Sequence, residues 1–117
     1  MTIDHEREIP TTAAQRYARV RSRIPEKVLI FDGAMGTSLH AQNLPDSAYG
    51  GFPRLNEYLN ISFPDAVRKV HEGFLSVGCD VIETNTFQAT GIKLAEYGLA
   101  ERTEEINRAS AKIAREM

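Results

Sequence analysis

The chain has 117 residues, with 14 Lys and Arg against 16 Asp and Glu, a formal net charge of −2 and a pI near 5.9. That balance supplies no basic footprint for a polyanion, which argues against nucleic acid as a partner. The length suits one compact domain but falls short of the roughly 200 residues that a complete eight-stranded α/β barrel needs.

The longest apolar run, Val28-Leu29-Ile30-Phe31, is far below the ~20 residues that cross a bilayer. No charged segment leads into an apolar core, so no secretory leader is expected. The single cysteine, Cys79, rules out an intrachain disulfide and a self-contained cysteine-based zinc site. These features predict a soluble, cytoplasmic α/β protein with no membrane partner.

Residues 1–10 are polar, mixed in charge and end in Pro10, the composition of a mobile tail. A helix is predicted over 11–24, capped by Thr11 or Thr12, because Ala13, Tyr17, Val20 and Ile24 recur at helical spacing. Its Arg16, Arg19, Arg21 and Arg23 read as a solvated basic face. After Pro25, Val28 to Phe31 reads as a strand buried on both faces. Residues 38–63 hold Pro45, Gly50, Gly51, Pro53 and Asn60 and are expected to be an irregular functional loop with at most one helical turn. Ser62-Phe63-Pro64-Asp65 opens a helix whose buried stripe is predicted as Val67, Val70, Phe74 and Val77, ended by Gly78. Val81 to Phe87 is a second predicted strand. Helices over 88–97 and 101–116 follow, the latter with Ile106, Ala109, Ile113 and Ala114 on one face. The order is βαβα, the pattern of a parallel sheet with right-handed crossovers.

Ligands of such folds bind at the carboxyl ends of the strands. The first strand ends in Asp32-Gly33-Ala34-Met35-Gly36-Thr37. Gly33 and Gly36 would let the backbone turn sharply, and consecutive amides in such a turn form a concavity for an anion. Asp32 beside it would hold a cation, so the pair suits the ammonium and carboxylate of a free amino acid. The competing reading is a plain turn in which Asp32 caps the next segment. No dinucleotide or P-loop spacing is present. On the second strand, alternation places Val81, Glu83 and Asn85 on one face and Ile82, Thr84 and Thr86 on the other. Glu83 is a second candidate for the ammonium; its alternative is pairing with a neighbouring Arg or Lys. Cys79 reads as a small buried hydrophobe. His5, His40 and His71 lack metal-ligand spacing, and Tyr49, Phe52 and Tyr58 are expected to pack the loop down.

The ordered strings D-G-A-M-G-T, N-E-Y-L-N (Asn56 to Asn60), P-D-A-V-R-K-V-H (Pro64 to His71), G-C-D-V-I-E-T-N-T-F and A-E-Y-G-L resemble the homocysteine S-methyltransferase family. The similarity is strongest to the homocysteine-binding module of its cobalamin-dependent branch and runs from about Val28 onward. It implies a (β/α)8 TIM barrel, of which residues 25–117 would supply two strands, one crossover helix and most of a second, ending inside that helix at Met117. It implies methyl transfer to homocysteine sulfur, giving methionine. Asp32 and the amides of Gly33, Ala34 and Met35 would hold the amino-acid end of homocysteine, Glu83 would support the amine, and Asn85 and Thr86 would shape the mouth.

Zinc and cobalamin are implied by the whole family. The zinc cysteines belong to later strands, Cys79 matches no zinc-ligand motif, and no Asp-x-His-x-x-Gly cobalamin signature occurs. This chain alone is therefore expected to bind neither and to be inactive, with methyltetrahydrofolate and methylcobalamin acting through other modules. Unpaired strand edges would favour self-association. The alternatives are a sulfonium- or betaine-dependent homocysteine methyltransferase, and a non-catalytic partial barrel that docks on a partner.

Overall fold

The computed structural model describes residues 12–117, so the expected tail at 1–10, with His5, lies outside the described residues. The described chain is mostly helical. Its α-helices are α1 (Ala13–Arg23), α2 (Met35–His40), α3 (Leu59–Ser62), α4 (Pro64–Ser76), α5 (Gly91–Ala95) and α6 (Thr103–Glu116), with 3-10 turns at Asp46–Tyr49, Asn56–Tyr58 and Ala100–Arg102.

Local chemistry explains most of the boundaries. Thr12 and Gln15 form a reciprocal capping box, Thr12 accepting from the Gln15 amide and Gln15 from the Thr12 amide. α4 begins with Pro64 in its first turn, where the missing N–H costs nothing. It ends in a Schellman motif: Cys79 N donates to Phe74 O and Gly78 N to Leu75 O, with Gly78 at φ 94. Gly98 ends the turn after α5 the same way, with Leu99 N donating to Leu94 O and Gly98 N to Ala95 O.

The two predicted strands are not formed at their expected length. They meet in one isolated parallel bridge, Phe31 with Val81. Asp80 N and Val81 N donate to Ile30 O, and Asp32 N donates to Val81 O. Burial on both faces is also corrected, since Val28 is 84% and Phe31 56% exposed. A buried parallel strand needs neighbours on both edges and helices on both faces; here each segment pairs with one neighbour. The bridge retains the parallel sense, with α2, α3 and α4 lying between its two segments in the chain.

Asp80 clamps this bridge. Its Oδ1 accepts from Lys27 Nζ at 2.6 Å and its Oδ2 from Ile30 N at 3.0 Å. The Lys27 hydrogen bond, and then the Ile30 amide, hold the Asp80 carboxyl below its ordinary value of 3.8. The stability it contributes is therefore full above pH 3.8 and is lost as pH falls through the lowered value. Urea midpoints of wild type and Asp80→Asn are expected to differ near neutral pH and to converge as the pH falls through the lowered value.

The expected loop over 38–63 holds far more helix than one turn. Its apolar residues are spread over short elements, each too brief to show a period, yet they build the core. Leu39, Tyr49 and Leu59 pack with Ala66, Val67 and Val70 of α4 and Ile113 of α6. A second cluster joins Leu55, Tyr58, Ala89, Leu94, Leu99 and Ile106. α3 packs on both α4 and α6, so the two clusters meet across Tyr58 and Leu59. As expected, Tyr49, Phe52 and Tyr58 hold this segment down, the Phe52 and Tyr58 rings lying 4.7 Å apart.

The stripes need adjustment. Val77 is 81% exposed because it lies beyond the last turn of α4; Phe74 is partly buried, and the residues that α4 buries are Ala66, Val67, Val70 and His71. On α6 the fully buried residues are Ile106, Ser110 and Ile113, with Ala109 and Ala114 half-buried. The helices expected over 88–97 and 101–116 shorten to α5 and α6. The apolar positions of α1, Tyr17, Val20 and Ile24, are exposed. No helix of the described residues is long and apolar enough to cross a membrane.

Candidate substrate site

The bridge sets Asp32 against the start of the second segment. Asp32 Oδ1 accepts from Glu83 N at 3.0 Å, and its side chain is 5% exposed. Among the described residues no side chain caps α2, whose N-cap is Ala34, so Asp32 does not serve as the cap of the next helix. It ties two chain segments together instead.

The turn after Asp32 is made differently from expectation. The left-handed residue is Ala34, at φ 47 and ψ 38, while neither Gly33 nor Gly36 has a positive φ. A non-glycine residue there stores strain of the kind that gathers at functional sites. The first bond of α2 runs from Ser38 N to Ala34 O, so the amides of Gly33, Ala34 and Met35 precede the helical ladder and form the concave turn. Gly36 makes room for a neighbour, because a Cβ there would meet Asn56 Nδ2 at 3.4 Å.

The second segment turns at Thr84 to Thr86, short of its expected end at Phe87. Thr86 N turns back onto Thr84 O, and the Thr84 and Thr86 hydroxyls lie 2.8 Å apart. Glu83 and Asn85 differ in burial. Glu83 is exposed and, among the described residues, its carboxylate makes no ion pair with an Arg or Lys. Asn85 is buried. Its Nδ2 donates to Asn56 O at 2.9 Å and to Asn60 Oδ1 at 3.1 Å, and Asn60 Nδ2 donates to Asn85 O at 2.9 Å. This reciprocal amide pair fixes the loop onto the 3-10 turn and α3.

These segments enclose a pocket of about 270 Å³, just below the ~300–1,000 Å³ of drug-sized sites and fitting for a small metabolite. Asp32, Gly33, Ala34, Met35, Glu83, Asn85 and Thr86 all line it, together with Gly36, Asn56, Glu57, Thr84, Phe87 and Gln88. Glu57 is a residue that sequence reasoning missed. It is buried, and its Oε1 accepts from Gln88 N at 3.0 Å while Oε2 has no partner among the described residues. Asn56, Glu57 and Asn60 stand in N-E-Y-L-N, whose signal was polar residues interleaved with core Tyr58 and Leu59.

The remaining candidates lie apart from the pocket lining. His40 is exposed at the end of α2. Cys79 is half-buried instead of fully buried; burial, Asp32 and Asp80 all push its thiol up. His71 is completely buried behind Asp32, with its Nδ1 4.0 Å from Asp32 Oδ2. No group of three His, Cys, Asp or Glu among the described residues converges to hold a metal. With one cysteine in the chain, this donor set does not fit a zinc–thiolate centre.

Comparison with known proteins adds an independent line. The sequence profile of the homocysteine S-methyltransferase family matches residues 29–117. The methionine synthase of Mycobacterium tuberculosis (strain ATCC 25618 / H37Rv) is 35% identical over 92 residues, which cover 79% of this chain and 8% of that protein. The chain thus spans a small part of the relative it matches. With the profile extending from the first bridge segment through α6, the chain belongs to the homocysteine S-methyltransferase family.

Proposed function

We propose that the pocket binds the amino-acid end of L-homocysteine, as part of an enzyme that transfers a methyl group to its sulfur and yields methionine. The observation that carries this reading is the gathering of the carboxylates of Asp32, Glu83 and Glu57 around one small pocket with the Gly33–Met35 turn, whose amides have no backbone partner among the described residues. Asp32 and Glu83 offer negative charge to the substrate ammonium. The amides of Gly33, Ala34 and Met35 offer hydrogen-bond donors to its carboxylate. Asn85 shapes the mouth through its ties to Asn56 and Asn60, and Thr86 shapes it beside Thr84.

The family and the name of the mycobacterial relative support this reading, as does the parallel bridge with helices between its segments, the unit from which a (β/α)8 barrel is built. In the overall reaction the sulfur–methyl bond forms as the donor–methyl bond breaks, and the thiol proton leaves. The 5-methyltetrahydrofolate and cobalamin chemistry belongs to the whole enzyme. Zinc has no fitting donor set here, so no step is assigned to it, and the chain alone is expected to be inactive. The test is amide NMR of ¹⁵N-labelled chain titrated with L-homocysteine. Shifts confined to Gly33–Gly36 and Glu83–Thr86 are expected; shifts centred elsewhere contradict the assignment. The same samples, given methyl donor, should form no methionine by mass spectrometry.

A further inference from the structure

α4 carries a titratable group that the binding role above leaves unused. His71 is 0% exposed, and neither ring nitrogen has a hydrogen-bond partner among the described residues. A buried polar group left unpaired is costly, and Val67 and Val70 on the same helix show that this face accepts aliphatic side chains. Packing alone therefore does not call for an imidazole.

The group nearest to relieving that cost is the carboxylate of Asp32. Nδ1 lies 4.0 Å from Oδ2, just outside hydrogen-bond range, while Oδ1 is already engaged by the Glu83 amide. Burial pushes the imidazole below its ordinary 6.5, with Asp32 opposing. The ring is thus neutral at pH 7, with one N–H to give and one nitrogen without a proton.

We propose that His71 is a positioning residue for Asp32: its Nδ1–H is directed at Oδ2 and holds the carboxylate in place for the substrate ammonium. The assignment rests on the ligand reading above and adds a residue that does not line the pocket itself. Oδ1 is fixed from the second segment and Oδ2 from α4, so a carboxylate with little exposure keeps one orientation when the cation arrives. A movement of about 1 Å closes the Nδ1–Oδ2 pair to hydrogen-bond length.

The test has a ligand-free arm and a binding arm. In chain labelled with ¹⁵N-histidine, His71 is expected in the Nδ1–H tautomer, with a resonance that shifts in Asp32→Asn. An Nε2–H tautomer indifferent to Asp32→Asn overturns the proposal. In calorimetric titrations with L-homocysteine, His71→Asn, which keeps a donor near the Nδ1 position, should bind within about twofold of wild type. His71→Leu, which keeps volume and removes the donor, should bind about tenfold more weakly, the loss of one hydrogen bond to a charged group. Circular dichroism and thermal melts verify folding, and if His71→Leu does not fold, the tautomer arm decides. A folded His71→Leu chain that binds like wild type overturns the proposal. A wild-type chain with the coupled tautomer but no response to L-homocysteine supports the His71–Asp32 pairing and contradicts the ligand.

Discussion

Replacing Asp32 with Asn is expected to weaken L-homocysteine binding by about 10- to 100-fold, with the chain still folded. A hydrogen bond to a charged group contributes about 1.5–3 kcal/mol, and each 1.4 kcal/mol is tenfold in affinity. The substitution keeps the shape and the Oδ1 acceptor that receives the Glu83 amide, so the bridge can survive while the charge is removed. Glu83, also at the pocket but exposed to solvent, should matter less, because screening weakens an exposed charge. Glu83→Gln is accordingly expected to cost under about tenfold. Side-by-side calorimetry of the two variants checks the order. Equal affinity of Asp32→Asn and wild type would remove Asp32 from the site.

The largest expected loss of stability comes from Gly50→Ala. Gly50 has φ +60, and a Cβ there would meet Tyr58 Cε1 at 2.6 Å and Ser62 Cβ at 3.1 Å. Two costs combine: about 1–2 kcal/mol for a side chain in the left-handed region and about 1–3 kcal/mol for overpacking. Tyr58 cannot simply swing away. Its ring packs on Phe52 and lies under Arg102, whose Nη1 donates to the Tyr58 hydroxyl at 2.8 Å. Gly51 is the internal control, since its φ is +98 but a Cβ there meets nothing within 4 Å. Gly51→Ala should therefore show a backbone cost, its own at φ +98, without a side-chain clash. Urea denaturation of both variants checks this, and a Gly50→Ala midpoint close to that of wild type would show that Tyr58 yields without cost.

The site was more legible in the sequence than the elements that carry it. D-G-A-M-G-T marked the turn because a strand-forming run broke into polar and small residues. E-T-N-T marked the second segment because polar side chains stood where packing favours apolar ones. The strands themselves shortened to one bridge, since Val28 and Phe31 find no cover on their open faces and propensity alone does not maintain a ladder. The conformational freedom of Gly33 and Gly36 pointed to them for the sharp turn, yet the chain places the left-handed conformation on Ala34.

Other features were hidden for structural reasons. The helical turns between Met35 and Ser62 are too short to display a period, and the Pro and Gly residues between them resemble an open loop. Asn60 and Asn85 stand 25 positions apart, and only their pairing in space accounts for two buried amides. His71 lacked metal-ligand spacing in sequence, and its proximity to Asp32 depends on how α4 packs beneath the bridge.

The central claim is that one pocket recognises both charged ends of an amino acid that carries a thiol. It is tested most directly by calorimetric titration of the folded chain with L-homocysteine, 4-mercaptobutanoate and 3-mercaptopropylamine. The first carries both charges, the second lacks the ammonium, and the third lacks the carboxylate. Saturable binding of L-homocysteine alone is the predicted result, since Asp32 and the turn amides each supply an essential half. No binding of L-homocysteine, or equal binding of all three, would contradict the claim.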